Sequence, residues 1–128
     1  MIWKIFILML LCHVIGDFVL QTDKIANLKQ KTWWKENCSE EELKKYKDDY
    51  KMALLMHCIL WSAMVLLPVI LCVEISGLAL YFIFIGNVLI HYVTDDLKAN
   101  YKEINLVEDQ TIHLLQILLT FLIICIIL

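Results

Sequence analysis

The chain has 128 residues, 61% of them hydrophobic and 20% charged, with a formal net charge of -3 and a mean hydropathy of +0.72. An apolar share this far above the roughly 45–50% of soluble domains excludes an ordinary water-soluble globule. The near-balanced charge, reached with lysine and no arginine at all, excludes a nucleic-acid surface.

One proline and three glycines favour helices over many short strands. Four stretches approach the roughly 20 residues that cross a hydrocarbon layer: about 2–20, 52–73, 77–93 and 112–128. In lipid every backbone amide must find its partner within the protein, so such runs form helices. The expectation is all-α: residues 1–128 form one integral membrane domain, a four-helix transmembrane bundle.

The first stretch opens with Lys4 and "IFILMLL", which has the look of a secretory signal, but no small-x-small cleavage site follows. It is read as a retained span. After it, Thr22–Lys51 carries eight of the eleven lysines, and the connection Thr94–Thr111 carries Lys98 and Lys102. The connection around Glu74 and Ser76 carries none. Positive charge marks cytoplasmic loops, which places the first and third connections inside and both termini outside. The location this implies is a bacterial inner (cytoplasmic) membrane, crossed several times. Cys38, in the first loop, is expected to react with an impermeant thiol reagent only from the cytoplasmic face; labelling in intact cells would reverse the orientation. None of the five cysteines forms a CxxC pair, and the reading is small buried hydrophobes plus one loop thiol.

Within that loop, "KIANLKQKTWW" reads as one amphipathic stretch ending in the interfacial anchors Trp33 and Trp34. Ser39 with Glu42 fits a capping box, predicting a helix that starts there and runs on into the second span. Glu40 with Lys44 and Glu41 with Lys45 are spaced as supporting pairs.

The chain holds four histidines, His13, His57, His91 and His113, one for each span. Three have an aspartate one helical turn away: His13 with Asp17, His91 with Asp95, and Asp109 with His113. Four residues advance about 6 Å and 40° along a helix, so each pair shares a face. Given the alternating direction of the spans, all seven residues fall at one cytoplasmic level. An ionisable side chain near the bilayer centre costs at least about 2.5–3.5 kcal/mol, and such residues mark functional sites.

The seven are therefore candidate metal ligands: His13, Asp17, His57, His91, Asp95, Asp109 and His113, with His57 the one lacking an acidic partner in sequence. Gln21, Asn87, Lys98 and Gln110 are expected to hold those ligands in place. Imidazole plus carboxylate suits a divalent ion, zinc first, with iron or manganese as alternatives. Seven donors exceed what one tetrahedral ion needs, so one or two ions are expected. Segments starting at His13 and His91 are each an HxxxD helix ending in lysine, each followed by a helix with its own histidine. They suggest two related helical hairpins, like the paired ligand sets of dinuclear four-helix carboxylate sites.

"HVIGDFVLQTDKIANLK", "HYVTDDLK" and "DQTIH" together resemble a family of small uncharacterised integral membrane proteins of bacteria and their prophages. Its pattern is HxxxDFxxQ, a lone histidine, HxxxDxxK and DQxxH. The family is in turn loosely similar to membrane-bound metal-dependent hydrolases, which implies a shared site and hydrolytic chemistry, with Asp17, Asp95 and Asp109 as candidate catalytic carboxylates. A non-enzymatic protein that binds or transports a metal or proton is the main alternative, and a bis-histidine haem protein a lesser one. The expected partners are the bilayer and a lipid, peptide or small-molecule substrate. Apolar faces serve lipid and a second copy equally, so the sequence assigns no oligomeric state.

Overall fold

A computed structural model describes residues 2–128, and every regular element among them is helical. Helix α1 (Ile2–Val14) runs on through a π-helical turn, Ile15–Val19. Three short helices follow: α2 (Asp23–Leu28), α3 (Lys31–Asn37) and α4 (Glu40–Tyr46). Then come α5 (Asp49–Cys72), α6 (Gly77–Asp96) with a second π-helical turn at Leu97–Tyr101, and α7 (Leu106–Ile127).

Four segments are long and apolar enough to cross a membrane: Ile2–Val19, Asp49–Cys72, Gly77–Tyr101 and Leu106–Ile127. Together they mark a multi-pass membrane protein. The last two extend beyond the apolar stretches 77–93 and 112–128, because the polar residues flanking those stretches stay helical. Asn105 explains the start of α7: its side chain accepts from the Val107 and Glu108 N–H groups while Glu108 reaches back to the Asn105 N–H. Ser76 caps α6 by accepting from Ala79 N–H.

The long helices close a ring in which α1 packs on α5, α5 on α6, α6 on α7 and α7 on α1. One half of the bundle is apolar, with Ile5, Met9, Val65, Val69, Ile117 and Ile124 buried together. Phe121 carries the rings of Phe6 and Trp3 above it. The outward faces are apolar too: Ile126 is 84% and Leu71 72% exposed. A surface this apolar is costly in water and natural in lipid.

Two loop expectations are corrected. The Ser39–Glu42 capping box is present, and donation from Ser39 N–H and hydroxyl holds the Glu42 carboxyl below its ordinary value. The helix it starts, however, ends at Tyr46 instead of entering the second span. The chain turns at Lys47 and Asp48, and this break sets the Tyr46 ring beside Trp34 at 6.0 Å. Likewise "KIANLKQKTWW" is two helices. Thr22 caps α2, Trp34 Nε1–H donates to the Leu28 carbonyl at its end, and Lys29 turns inward at the break. Neither Glu40 with Lys44 nor Glu41 with Lys45 closes to ion-pair distance among the described residues.

A candidate metal centre

The loop-bearing end of the bundle gathers ionisable side chains from all four long helices. His13 and Asp17 come from the last turns of α1 and its π-turn, and His57 from the third turn of α5. His91 and Asp95 end α6, while Asp109 and His113 begin α7. Asp17 lies in one π-turn and Lys98 in the other. Such turns are rare and are often found at functional sites.

His91 stands at the middle. Its Nε2 is 3.2 Å from His57 Nε2, and its Nδ1 is 3.2 Å from His113 Nδ1. His57 Nε2 lies 3.4 Å from both Asp17 Oδ1 and Asp95 Oδ2. On the other side, His113 Nε2 lies 3.3 Å from both Asp95 Oδ1 and Asp109 Oδ1. Asp95 thus turns one oxygen toward His57 and the other toward His113.

These spacings suit coordination. Donor atoms about 2.0–2.1 Å from a tetrahedral ion stand about 3.3 Å from one another. Three groupings of donor atoms are close enough to share an ion: Asp17, His57 and His91; His91, Asp95 and His113; and Asp17, Asp109 and His113. Asp17, His91 and His113 each belong to two of them. His57, which has no acidic partner in sequence, has two in space.

The cluster is dry. His91, His113 and Asp109 are fully buried, and His57 and Asp95 nearly so. Each carboxylate has one oxygen anchored. Lys29 Nζ donates to Asp95 Oδ2, Lys98 Nζ donates to Asp109 Oδ2 at 2.6 Å, and Gln110 Nε2 donates to Asp17 Oδ2 at 2.8 Å. Gln110 also reaches Asp109 Oδ2 at 3.0 Å, and Gln21 accepts from Lys29 Nζ at 2.7 Å. Three aspartates face two lysines, a difference of one charge that a protonated imidazole or a metal cation would fill. Asp109 Oδ1 and His113 Nε2 are buried without a hydrogen bond. Each such atom costs about 1–3 kcal/mol unless something satisfies it. The two atoms face each other at 3.3 Å, where either a proton on the imidazole or a cation between them would satisfy both.

Three of the supporting residues expected from sequence, Gln21, Lys98 and Gln110, therefore touch the site's carboxylates or its lysine. Asn87 does not. It accepts from Gln116 Nε2–H and Thr120 Oγ1–H, in a polar layer one turn further into the bundle. His13 also has a different neighbour: Trp61 Nε1–H donates to its Nδ1 at 2.9 Å. An accepting Nδ1 leaves the ring proton on Nε2, making His13 a donor in this arrangement, and it stands outside the three groupings.

Two residues of the site carried no expectation. Lys29 is buried although it sits in a lysine-rich loop. Trp61, fully buried, stacks on His91 with ring centroids 4.1 Å apart and planes 15° apart. Its signal was available, since Trp61 follows His57 by one helical turn and shares its face. Nothing in the spacing of the loop lysines singles out Lys29.

The fold and the cluster define a class: a four-span helical membrane protein with a buried His/Asp group that could hold a metal ion. Residues 5–127 match the model of a family described as a protein of unknown function (DUF3307), and the chain belongs to that family. No curated protein and no solved structure matches it.

Proposed function

We propose that this protein is a membrane-embedded metal-dependent hydrolase, its site lying at the cytoplasmic side of the bundle. The observation that carries the metal is the convergence of buried imidazole and carboxylate atoms from all four long helices, 3.2–3.4 Å apart and grouped closely enough to share an ion. The residues that would hold it are Asp17, His57, His91, Asp95, Asp109 and His113, with His13 orienting Trp61 and, through it, His91. Zinc is the first choice for this donor set, with iron or manganese next. Two neighbouring ions are favoured by the way Asp95 divides its oxygens between His57 and His113.

A divalent ion bound there would lower the pKa of water toward about 7 and polarise a carbonyl or phosphoryl oxygen. The chain's own groups supply the rest. Lys29 and Lys98 fix Asp95 and Asp109 by one oxygen each and leave the other facing the imidazoles. Asp17 is held by a neutral amide instead of an ammonium, so we assign it to proton transfer.

One observation favours a second reading, a metal- or proton-transporting protein: the Asn87–Gln116–Thr120 layer carries polarity further into the membrane. Beyond it, Phe121 and Ile124 belong to the apolar half, and the outer halves of α5 and α7 carry no Asp, Glu, Lys or His. A haem is disfavoured by direct packing, since His91 and His113 rings lie 4.2 Å apart with Trp61 against His91.

Turnover of soluble carboxylic- and phosphate-ester surrogates by the purified protein separates the readings. Hydrolysis abolished by a chelator and restored by zinc or manganese is the expected result. Metal-dependent flux across liposomes, with no product from any surrogate, would replace the hydrolase with the transporter.

A further inference from the structure

Helix α2 is only six residues long, yet it divides two cavities that both end on the cluster. On one side Ile25 and Leu28 face Ala53, His57, Leu60 and Ala63 of α5 across an apolar groove of about 500 Å³. The groove follows α5 from Ala53 to Ala63, about 15 Å at 1.5 Å per residue. Its rim is apolar and open, with Met56 57% and Leu60 41% exposed, on a helix long and apolar enough to cross a membrane. His57 is its polar residue, and the far side of that ring meets Asp17 and Asp95.

On the other side of α2 lies a polar cavity of about 240 Å³ whose charged lining is Lys29, Lys98, Lys102 and Asp95. Three ammonium groups face one carboxylate. Lys29 and Lys98 are engaged by Asp95 and Asp109, but Lys102 is exposed and has no ion pair among the described residues. Lys102 is also the one described non-glycine residue with positive φ, at 59°. That left-handed turn ends the π-helical turn, and its strain is of a kind that gathers at ligand sites.

We propose that the ligand of this site is a membrane lipid bearing a phosphate monoester. Its tail lies along α5 in the groove and its phosphate is drawn past His57 to the lysine-lined cavity. The apolar groove opens to lipid and ends at the cluster, which suits a tail. The exposed ammonium of Lys102, beside the two paired lysines on the other side of α2, suits an anionic head and gives it an aqueous exit. This assignment rests on the hydrolase reading for its chemistry, while the binding itself is tested separately.

The probe is phosphatidic acid with a diazirine in its tail, a minor component of phosphatidylcholine vesicles containing the full-length protein. Diazirine-tailed diacylglycerol is the comparison. The expected result is photolabelling concentrated on peptides containing Ile25–Leu28 and Ala53–Ala63, several-fold stronger with phosphatidic acid than with diacylglycerol. Lys102→Gln should lower that preference, and Ala63→Phe, on the exposed rim, should reduce labelling by filling the groove. Equal labelling by the two lipids, or labelling spread evenly over all outward faces, would overturn the proposal. Labelling erased by inorganic phosphate no more concentrated than the probe would show free phosphate to be the ligand, and would overturn it too. Groove labelling without any hydrolysis would remove the hydrolase and leave the lipid site standing. Chelator-sensitive hydrolysis of soluble phosphate esters without groove labelling would do the reverse.

Discussion

Replacing His113 with alanine is expected to strip most of the bound metal. Its Nε2 faces Asp95 Oδ1 and Asp109 Oδ1 at 3.3 Å each, and the residue belongs to two of the three donor groupings. Losing it removes a donor from two of the three groupings and leaves Asp17, His57 and His91 as the one complete set, so the effect should still exceed the about 10–100-fold that loss of an outer hydrogen-bonding partner costs. Lys98→Ala removes such a partner and should keep measurable metal within that range. Stability gives an independent reading: an ion present at 100 times its dissociation constant adds about 2.7 kcal/mol to a protein that binds it only when folded. Wild type should gain that protection on addition of zinc, and His113→Ala should gain much less. Equal loading of His113→Ala and wild type, measured by competition against a chromophoric chelator, would contradict the site.

The second large effect is expected from Lys29→Met. Lys29 and Asp95 side chains are 10% and 3% exposed, so removing the ammonium strands a carboxylate where water hardly reaches. Breaking a buried pair from one side costs about 3–5 kcal/mol. Lys51→Met is the control: its pair with Asp48 is more than half exposed on both sides, and such pairs are worth about 0–1 kcal/mol. A bound divalent ion takes over the charge of Asp95, so metal should restore much of the stability lost in Lys29→Met. Unfolding curves in detergent, with and without zinc, test this. If Lys29→Met unfolds like Lys51→Met in metal-free protein, Asp95 is not held as described.

The contrast between these lysines shows where the sequence speaks and where it is silent. The spans are legible because lipid forces backbone groups to pair within each segment, which leaves helices as the outcome. The HxxxD and DxxxH pairs are legible because helix geometry alone puts such residues on one face. Which of them point at one another is a tertiary matter. His13 and His91 carry the same HxxxD signature, yet Trp61 takes the Nδ1 of His13 and stacks on His91. His57, without a partner in sequence, acquires Asp17 and Asp95 through the packing of α5 against α1 and α6. Lys29 becomes part of the site because the chain breaks between α2 and α3, and such a break has no periodicity to announce it. Asn87 precedes His91 by one turn as expected, but Gln116 and Thr120 compete for its carbonyl oxygen and draw it away from the carboxylates.

Elemental analysis of wild-type protein, purified without chelators, decides whether a metal centre exists. Zinc, iron or manganese is expected at one to two ions per chain, sharply reduced in His113→Ala and retained in Lys98→Ala. Protein that emerges without any of these metals, and takes up none when they are supplied, would contradict a metal centre.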